Sequence, residues 1–248
     1  MKENQFAIEA ETAFRQFVAR SEFPCLGAKA AFNSESQTLR LFDELGSAES
    51  TDELGTALKD FASLVGRDSV EPKQLATPDP GGSTESRPTD YASFIAIFER
   101  PRETSELEFE DLLWKQLRLL HEHDRCDSDW DPAVSSDPAD SHFSFSFAGQ
   151  ALYVIGMHPN SSRKARRFPW PALVFNPHEQ FERLRADGKW QRMQETIRQR
   201  DRDLQGTINP MLSDFGVQSE ARQYSGRAVE EDWKAPFFAT ASKCPFAH

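Results

Sequence analysis

The residues best suited to chemistry follow the apolar run Ala151–Met157, and the first of them is His158. The run is rich in β-forming residues and too short for a typical helix, so it predicts a buried strand. The strand must end at His158-Pro159, because proline has no N–H to give to a sheet. Binding groups tend to lie at such edges, which makes His158 a candidate binding residue. The alternative is a hydrogen-bonded histidine of the core.

A basic loop comes next, in a chain whose net charge is −11. Its four cations lie within five positions: Arg163, Lys164, Arg166 and Arg167. A second apolar run then leads to Asn176-Pro177-His178-Glu179, which predicts a helix start with Asn176 as N-cap, proline at N1 and a capping box. A histidine, a helix N-terminus and a basic loop are together suited to one anionic ligand.

Two further groups of residues have both a chemical and a structural interpretation. Cys25 lies at a bend between predicted elements and is either a reactive thiol or a small buried side chain. The alternation in His142–Phe147 places Phe143, Phe145 and Phe147 on one face of a strand. That face is either core, which we favour, or the wall of a site for a flat apolar cofactor.

The elements that must position these residues are predicted from hydrophobic periodicity. Helices are predicted at about 5–20, 51–65, 105–122, 177–187 and 189–205. Strands 142–148 and 151–157 are predicted to form a hairpin through a type II′ turn at Gly149-Gln150. The hairpin, and the lack of regular βαβ alternation, predict one α+β domain over residues 1–248, with a mainly antiparallel sheet flanked by helices. Exposed loops are predicted at 66–90 and 126–141.

Composition excludes several classes of function. The chain has 40 acidic and 29 basic residues, which argues against nucleic acid as a partner, because phosphate binding requires a broad basic face. No apolar run approaches the roughly 20 residues of a membrane span, and the N-terminus lacks the apolar core of a signal peptide. Three widely spaced cysteines are not a disulfide framework. These features predict a cytoplasmic protein with reduced thiols.

The motifs, taken in order along the chain, resemble the YqcI/YcgG family. They are FPCLGAKAA at 23–31, GMHP at 156–159, RRFP at 166–169, PALVFNPHEQFERLR at 171–185, NP at 209–210 and CPF at 244–246. The resemblance spans almost the whole chain, although the loops at 66–90 and 126–141 do not contribute. Some members of that family are haem-dependent enzymes that hydroxylate guanidine nitrogens.

The resemblance therefore implies haem b, which needs an axial donor, cations for two propionates and a flat apolar slot. His158 is the first candidate for the iron ligand and Cys25 the second, because a thiolate favours O–O cleavage. Cys244 is a further candidate thiolate. The basic loop would meet the propionates, Phe143 and Phe145 would line the slot, and His178 would lie near the pocket.

A cationic guanidine or amine substrate would need a buried carboxylate, and the candidates are Glu99, Asp214 and Glu220. The oxidant would be O2 or peroxide. Because the chain has no dinucleotide-binding or P-loop fingerprint, any reducing equivalents would come from a separate reductase. The alternative function is non-catalytic binding of haem or of a small ligand.

Overall fold

The predicted hairpin forms the edge of the sheet in the computed structural model, which describes residues 2–70 and 91–240. Strand β3 (Phe145–Phe147) pairs antiparallel with β4 (Gln150–Met157). The loop between them consists of Ala148 and Gly149, whose φ angles are +52° and +72°. Two positive φ angles are typical of a type I′ turn. The predicted type II′ turn at Gly149-Gln150 is therefore wrong, because Gln150 already pairs with Phe147.

Three more strands complete a single five-stranded sheet of order β1-β2-β5-β4-β3. They are β1 (Gln37–Glu44), β2 (Ser93–Arg100) and β5 (Ala172–Pro177). Only β1 and β2 run parallel among these neighbours, and the other three pairings are antiparallel. The predicted α+β class with a mainly antiparallel sheet is confirmed.

Each face of the sheet is covered by its own hydrophobic cluster. On the first face the strands pack against α3 (Ala48–Val70), α4 (Glu106–Asp124) and α7 (Ala221–Tyr224). On the second face they pack against α1 (Lys2–Ala19) and α2 (Leu26–Asn33). Helices α5 (His178–Ala186) and α6 (Trp190–Gln205) follow the last strand.

Strand β4 is central to both layers because its side chains alternate between the two faces. Leu152 and Val154 belong to the first cluster, whereas Ile155 and Met157 belong to the second. At Gly156 an added Cβ would lie 2.7 Å from atoms of both Leu113 and Phe109. The missing side chain therefore allows α4 to pack directly on the β4 backbone.

The five predicted helices are confirmed, and the capping box at Ser105 and Glu108 has both of its hydrogen bonds. The short helices α2 and α7 were not predicted. Helix α5 begins at His178 with Pro177 as its N-cap and no side-chain capping bond. The predicted N-cap, Asn176, instead lies in β5, where its side chain bonds to Ser93 and to the Tyr153 carbonyl.

The two predicted loops have different outcomes. Residues 126–141 are turns with short local hydrogen bonds, as predicted. Residues 66–70 belong to α3, so the predicted start of the first loop at 66 is wrong. The remainder of that loop, residues 71–90, lies outside the described part of the chain.

Candidate functional site

A cavity of about 260 Å³ lies over the second face of the sheet, bounded by α1, α2, α5, α6 and the segment that follows α6. Its volume is close to the lower end of the range for organic ligands, about 300–1,000 Å³. Most of the wall is apolar, with aromatic side chains from α1, from the segment between α1 and α2, and from β4: Phe14, Phe17, Phe23 and Tyr153. A few polar groups interrupt this wall, as expected for a small-molecule site.

Cys25 lies in the cavity wall at the N-terminus of α2. It is the N-cap residue of that helix, and its Sγ accepts a hydrogen bond from Ala28 N at 3.4 Å. Burial raises the pKa of the thiol, against the lowering effect of the N–H groups of Ala28 and Gly27. A metal bound to the sulfur would lower the pKa of Cys25 instead, because a coordinated thiol loses its proton.

The basic loop does not act as one cluster. Arg163 and Arg166 reach the cavity wall, whereas Lys164 and Arg167 are exposed and bond to the carbonyls of Leu204 and Ser161 respectively. The divergence arises because Lys164–Arg166 forms a single 3-10 turn, which sends successive side chains in different directions. The prediction that all four cations meet one anion is therefore not supported by their positions.

Both arginines that reach the cavity already have partners. Arg163 donates to Asp201 Oδ2 at 2.6 Å, and both side chains are almost fully buried. Arg166 donates to three main-chain carbonyls, those of Gly156, Gln223 and Tyr224, at 3.0–3.2 Å. Burial lowers the pKa of Arg166. These bonds anchor the loop to the sheet and to the C-terminal segment.

Glu220 lies in the cavity wall and is only 4% exposed. Its Oε1 accepts a hydrogen bond from the Tyr224 hydroxyl at 2.6 Å. Burial raises the pKa of Glu220 to about 8, against the lowering effects of the Tyr224 and Ser144 hydroxyls and of Arg185. The cavity wall thus holds a carboxyl group that is mostly protonated at neutral pH.

His178 lies beside Glu220, and its Nδ1 is 4.0 Å from Glu220 Oε2. The ring packs at 4.4 Å against Phe215, and its Nε2 is 3.3 Å from Glu182 Oε1. Burial lowers the pKa of His178, so the neutral imidazole is favoured. The sequence predicted His178 near the pocket, and the structure places it in the cavity wall, beside a buried carboxyl group.

Several polar residues of the cavity wall were not predicted, among them Tyr153, Gln180 and Gln223. The Tyr153 hydroxyl donates to Gln223 Oε1 at 2.9 Å, and burial raises the pKa of Tyr153. A signal was available for Tyr153, because the hydroxyl of a tyrosine in a buried strand needs a partner. No comparable pattern distinguishes the two glutamines from other helical amides.

The other two candidate carboxylates do not line the cavity. Glu99 is exposed near the end of β2, next to Arg100. Its strand is buried up to Phe98 and leaves the core at that point. Asp214 is half-buried and accepts a short hydrogen bond from Gln194, which does line the cavity. Of the predicted carboxylates, the structure brings only Glu220 to the cavity wall.

His158, Phe143 and Phe145 lie on the opposite side of the sheet from the cavity. His158 continues the β4 alternation that points toward α4, where its ring stacks on Phe109 at 4.4 Å. Phe143 and Phe145 are fully buried in the first cluster, in contact with Phe237. The core interpretation of these phenylalanines agrees with the structure, and their proposed place beside a cofactor does not. Cys244 lies outside the described residues.

The position of His158 has a measurable consequence. Burial lowers the pKa of His158 to about 4, below the ordinary value of about 6.5 in an unfolded chain. Between these values the unfolded state binds more protons, so the free energy of unfolding falls as pH drops from 6.5 to 4. We expect His158→Phe to reduce the loss of stability between pH 7 and pH 4.5 by roughly 1–3 kcal/mol.

Urea denaturation at the two pH values measures this difference. His142→Gln is the matched control, because the His142 side chain is 61% exposed. If His158→Phe and the wild type lost the same stability on acidification, the histidine would not be held neutral by burial.

Comparison with known proteins places the chain in a family. The profile of the YqcI/YcgG family matches residues 14–238. The chain belongs to the YqcI/YcgG family. It is 27% identical over 236 residues to the uncharacterized protein YqcI of Bacillus subtilis (strain 168), covering 91% of this chain and 81% of that protein. No solved structure matches this YqcI/YcgG chain.

None of the helices within residues 2–70 and 91–240 is long and apolar enough to cross a membrane. In the same part of the chain, no three side chains among His, Cys, Asp and Glu are grouped as a metal site. A haem iron held by one axial side chain would not require such a group.

Proposed function

We propose that this protein is a cytoplasmic haem-dependent N-oxygenase that hydroxylates a guanidine or amine nitrogen of a small cationic substrate. The observation that carries the proposal is the composition of one cavity wall. A thiol at a helix N-terminus and a buried carboxyl group both face an otherwise apolar space. Membership of a family that includes haem-dependent N-hydroxylases supports the same reading.

The donor set fits haem at the axial position. Cys25 would hold the iron, because it lines the cavity and its sulfur already accepts an N–H bond from the first turn of α2. When bound, haem with a thiolate ligand would activate O2 or peroxide for oxygen transfer. His158 is the weaker candidate, since its ring stacks on Phe109 on the other side of the sheet.

The basic loop fits the propionates less well. Arg163 is paired with Asp201, and Arg166 is bonded to three carbonyls. A propionate at either side chain would have to share the guanidinium with these partners, which its five donors allow. Lys164 and Arg167 would not hold a propionate, because both side chains are exposed and lie outside the cavity wall.

The remaining wall residues would bind and shield the substrate. Phe14, Phe17 and Phe23 exclude water from the space around Cys25, which strengthens electrostatic interactions there. Glu220 would bind the cationic nitrogen group, because a buried carboxylate is stable only when it is paired. O2 would be the oxidant with two electrons from a separate reductase, because the chain has no nucleotide fingerprint, or peroxide would replace both O2 and the reductase.

The test begins with the colour of the purified protein after expression with a haem precursor. We expect a Soret band, a change in that band with arginine or related guanidines, and hydroxylated product with peroxide or a reductase system, detected by mass spectrometry. A colourless protein would overturn the haem assignment. A coloured protein with no spectral change and no product would remove the N-oxygenase and leave the alternative, a non-catalytic haem protein.

A further inference from the structure

Two buried polar atoms, one of Glu220 and one of His178, face each other across a gap in the cavity wall. Glu220 Oε2 and His178 Nδ1 are 4.0 Å apart, which is too long for a hydrogen bond. The other carboxyl oxygen of Glu220 is occupied by the Tyr224 hydroxyl at 2.6 Å. Within the described residues, His178 Nδ1 has no hydrogen-bond partner.

The contact with Glu182 favours one tautomer of His178. Because a carboxylate only accepts, a neutral imidazole with its proton on Nε2, 3.3 Å from Glu182 Oε1, suits this contact best. His178 Nδ1 therefore presents a lone pair to the gap. The ring of Phe215 packs against the imidazole at 4.4 Å with an interplanar angle of 58° and supports this orientation.

A further acceptor, the Gln180 side-chain oxygen, lies on the same wall of the cavity. Gln180 follows His178 along α5 and is only 4% exposed. Its Oε1 has no hydrogen-bond partner in the part of the chain that the structure describes. Buried acceptors without donors are rare in native proteins, and a cavity lined by them is suited to a ligand that brings several N–H groups.

The charged groups around the gap do not neutralise an ionised Glu220. Helix α5 contributes Glu182 and Arg185 to the surroundings of the gap, and the loop before β3 contributes Asp131. Helix α7 contributes the Tyr224 hydroxyl. Arg185 is bonded to Glu182 and stacks over Trp190. An ionised Glu220 therefore needs a cation from outside the chain.

We propose that a cationic nitrogen headgroup binds between Glu220 Oε2 and His178 Nδ1, and that Glu220 releases its proton to solvent when this cation binds. The neutral carboxyl group becomes a carboxylate, the ligand keeps its positive charge, and one proton leaves for each cation that enters. The inference rests on the cationic substrate of the proposed function and is independent of haem. It makes uptake of the ligand dependent on pH.

Titration calorimetry of the full-length protein tests the exchange, with arginine as the guanidinium probe and citrulline as its neutral isostere. Agmatine serves as a second cationic probe that lacks the carboxylate. Measurements at pH 7 in buffers of different ionisation enthalpy give the number of protons released. We expect about one proton for arginine or agmatine and none for citrulline, with the Kd of the cations falling up to about tenfold per pH unit from pH 6 to 8.

Two variants separate the contribution of Glu220 to cation binding from that of His178. Glu220→Gln is expected to abolish proton release and the pH dependence of Kd. Glu182→Gln is expected to weaken binding and keep proton release, since it changes the group that contacts His178 and Arg185 but leaves the Glu220 carboxyl group in place. His123→Gln, on α4 at a distance from the cavity wall, is the control and should leave both quantities unchanged.

The outcomes that overturn the inference differ from those that overturn the haem assignment. Binding of arginine without proton release, equal affinity for citrulline, or no binding of either cation would overturn it. A colourless protein that exchanged a proton for arginine would overturn haem and keep this inference. If Glu220→Gln did not fold, the buffer series and the pH series on the wild type would still decide.

Discussion

Replacing Cys25 with serine is expected to abolish the long-wavelength ferrous–CO band of the haem-loaded protein and to remove most of its bound haem. The thiolate is the group that would produce that band, and serine offers only a weak oxygen donor to iron. The serine hydroxyl can still cap α2 through the N–H of Ala28, so the fold should persist. Haem content per chain and the CO difference spectrum measure the effect.

Three matched variants make the result interpretable. Cys126→Ser removes an exposed cysteine and should leave the band unchanged. His158→Phe removes the other candidate ligand, which stacks on the α4 side of the sheet, and should also keep the band. Cys244→Ser tests the cysteine outside the described residues. Retention of the band by Cys25→Ser, or its loss in His158→Phe or Cys244→Ser, would contradict the assignment of Cys25.

Arg227→Ala should lower the free energy of unfolding by about 3–5 kcal/mol, the cost of breaking a buried ion pair from one side. Nε and Nη2 of Arg227 both donate to Glu110 Oε2, at 2.9 and 2.8 Å. Glu110 is 5% exposed and Arg227 is 9% exposed, so the variant leaves a carboxylate without its partner inside the protein. Denaturant unfolding followed by circular dichroism gives the difference.

Arg100→Ala is the control for that measurement. Arg100 also pairs with a carboxylate, Asp43, through bonds of 3.1 and 2.6 Å. Both side chains are more than half exposed, and such pairs contribute at most about 1 kcal/mol. If Arg100→Ala and Arg227→Ala lowered the free energy of unfolding equally, burial would not be the reason for the loss of stability at Arg227.

Local signals in the sequence were enough to predict the hairpin and the main helices. The hairpin follows from alternation in His142–Phe147, and α4 follows from a capping box with a clear apolar stripe. Helix α2 was not predicted because its eight residues, LGAKAAFN, are mostly small and give no apolar periodicity. The predicted type II′ turn at Gly149-Gln150 was wrong because the actual turn includes Ala148, and alanine rarely adopts a positive φ.

The site could be predicted only in part, and strand β4 gives the physical reason. In residues 151–157 almost every side chain is apolar, as expected for a strand covered on both faces. The pattern shows that the strand is buried, but it does not tell which face borders a cavity. Cys25 and Glu220 were selected by their neighbours and lie in the wall, whereas His158 was selected by its strand end and faces the other layer.

The cavity wall combines the two ends of the folded chain, since Phe14 and Gln223 both contribute to it. The β2–β5 pairing likewise joins residues far apart in sequence. During synthesis at about 5–20 residues per second, the later part of the wall follows the earlier part by roughly 10–40 s. A nascent chain therefore has its first aromatic residues long before it has Glu220. The wall is therefore complete only after translation has passed the α7 segment.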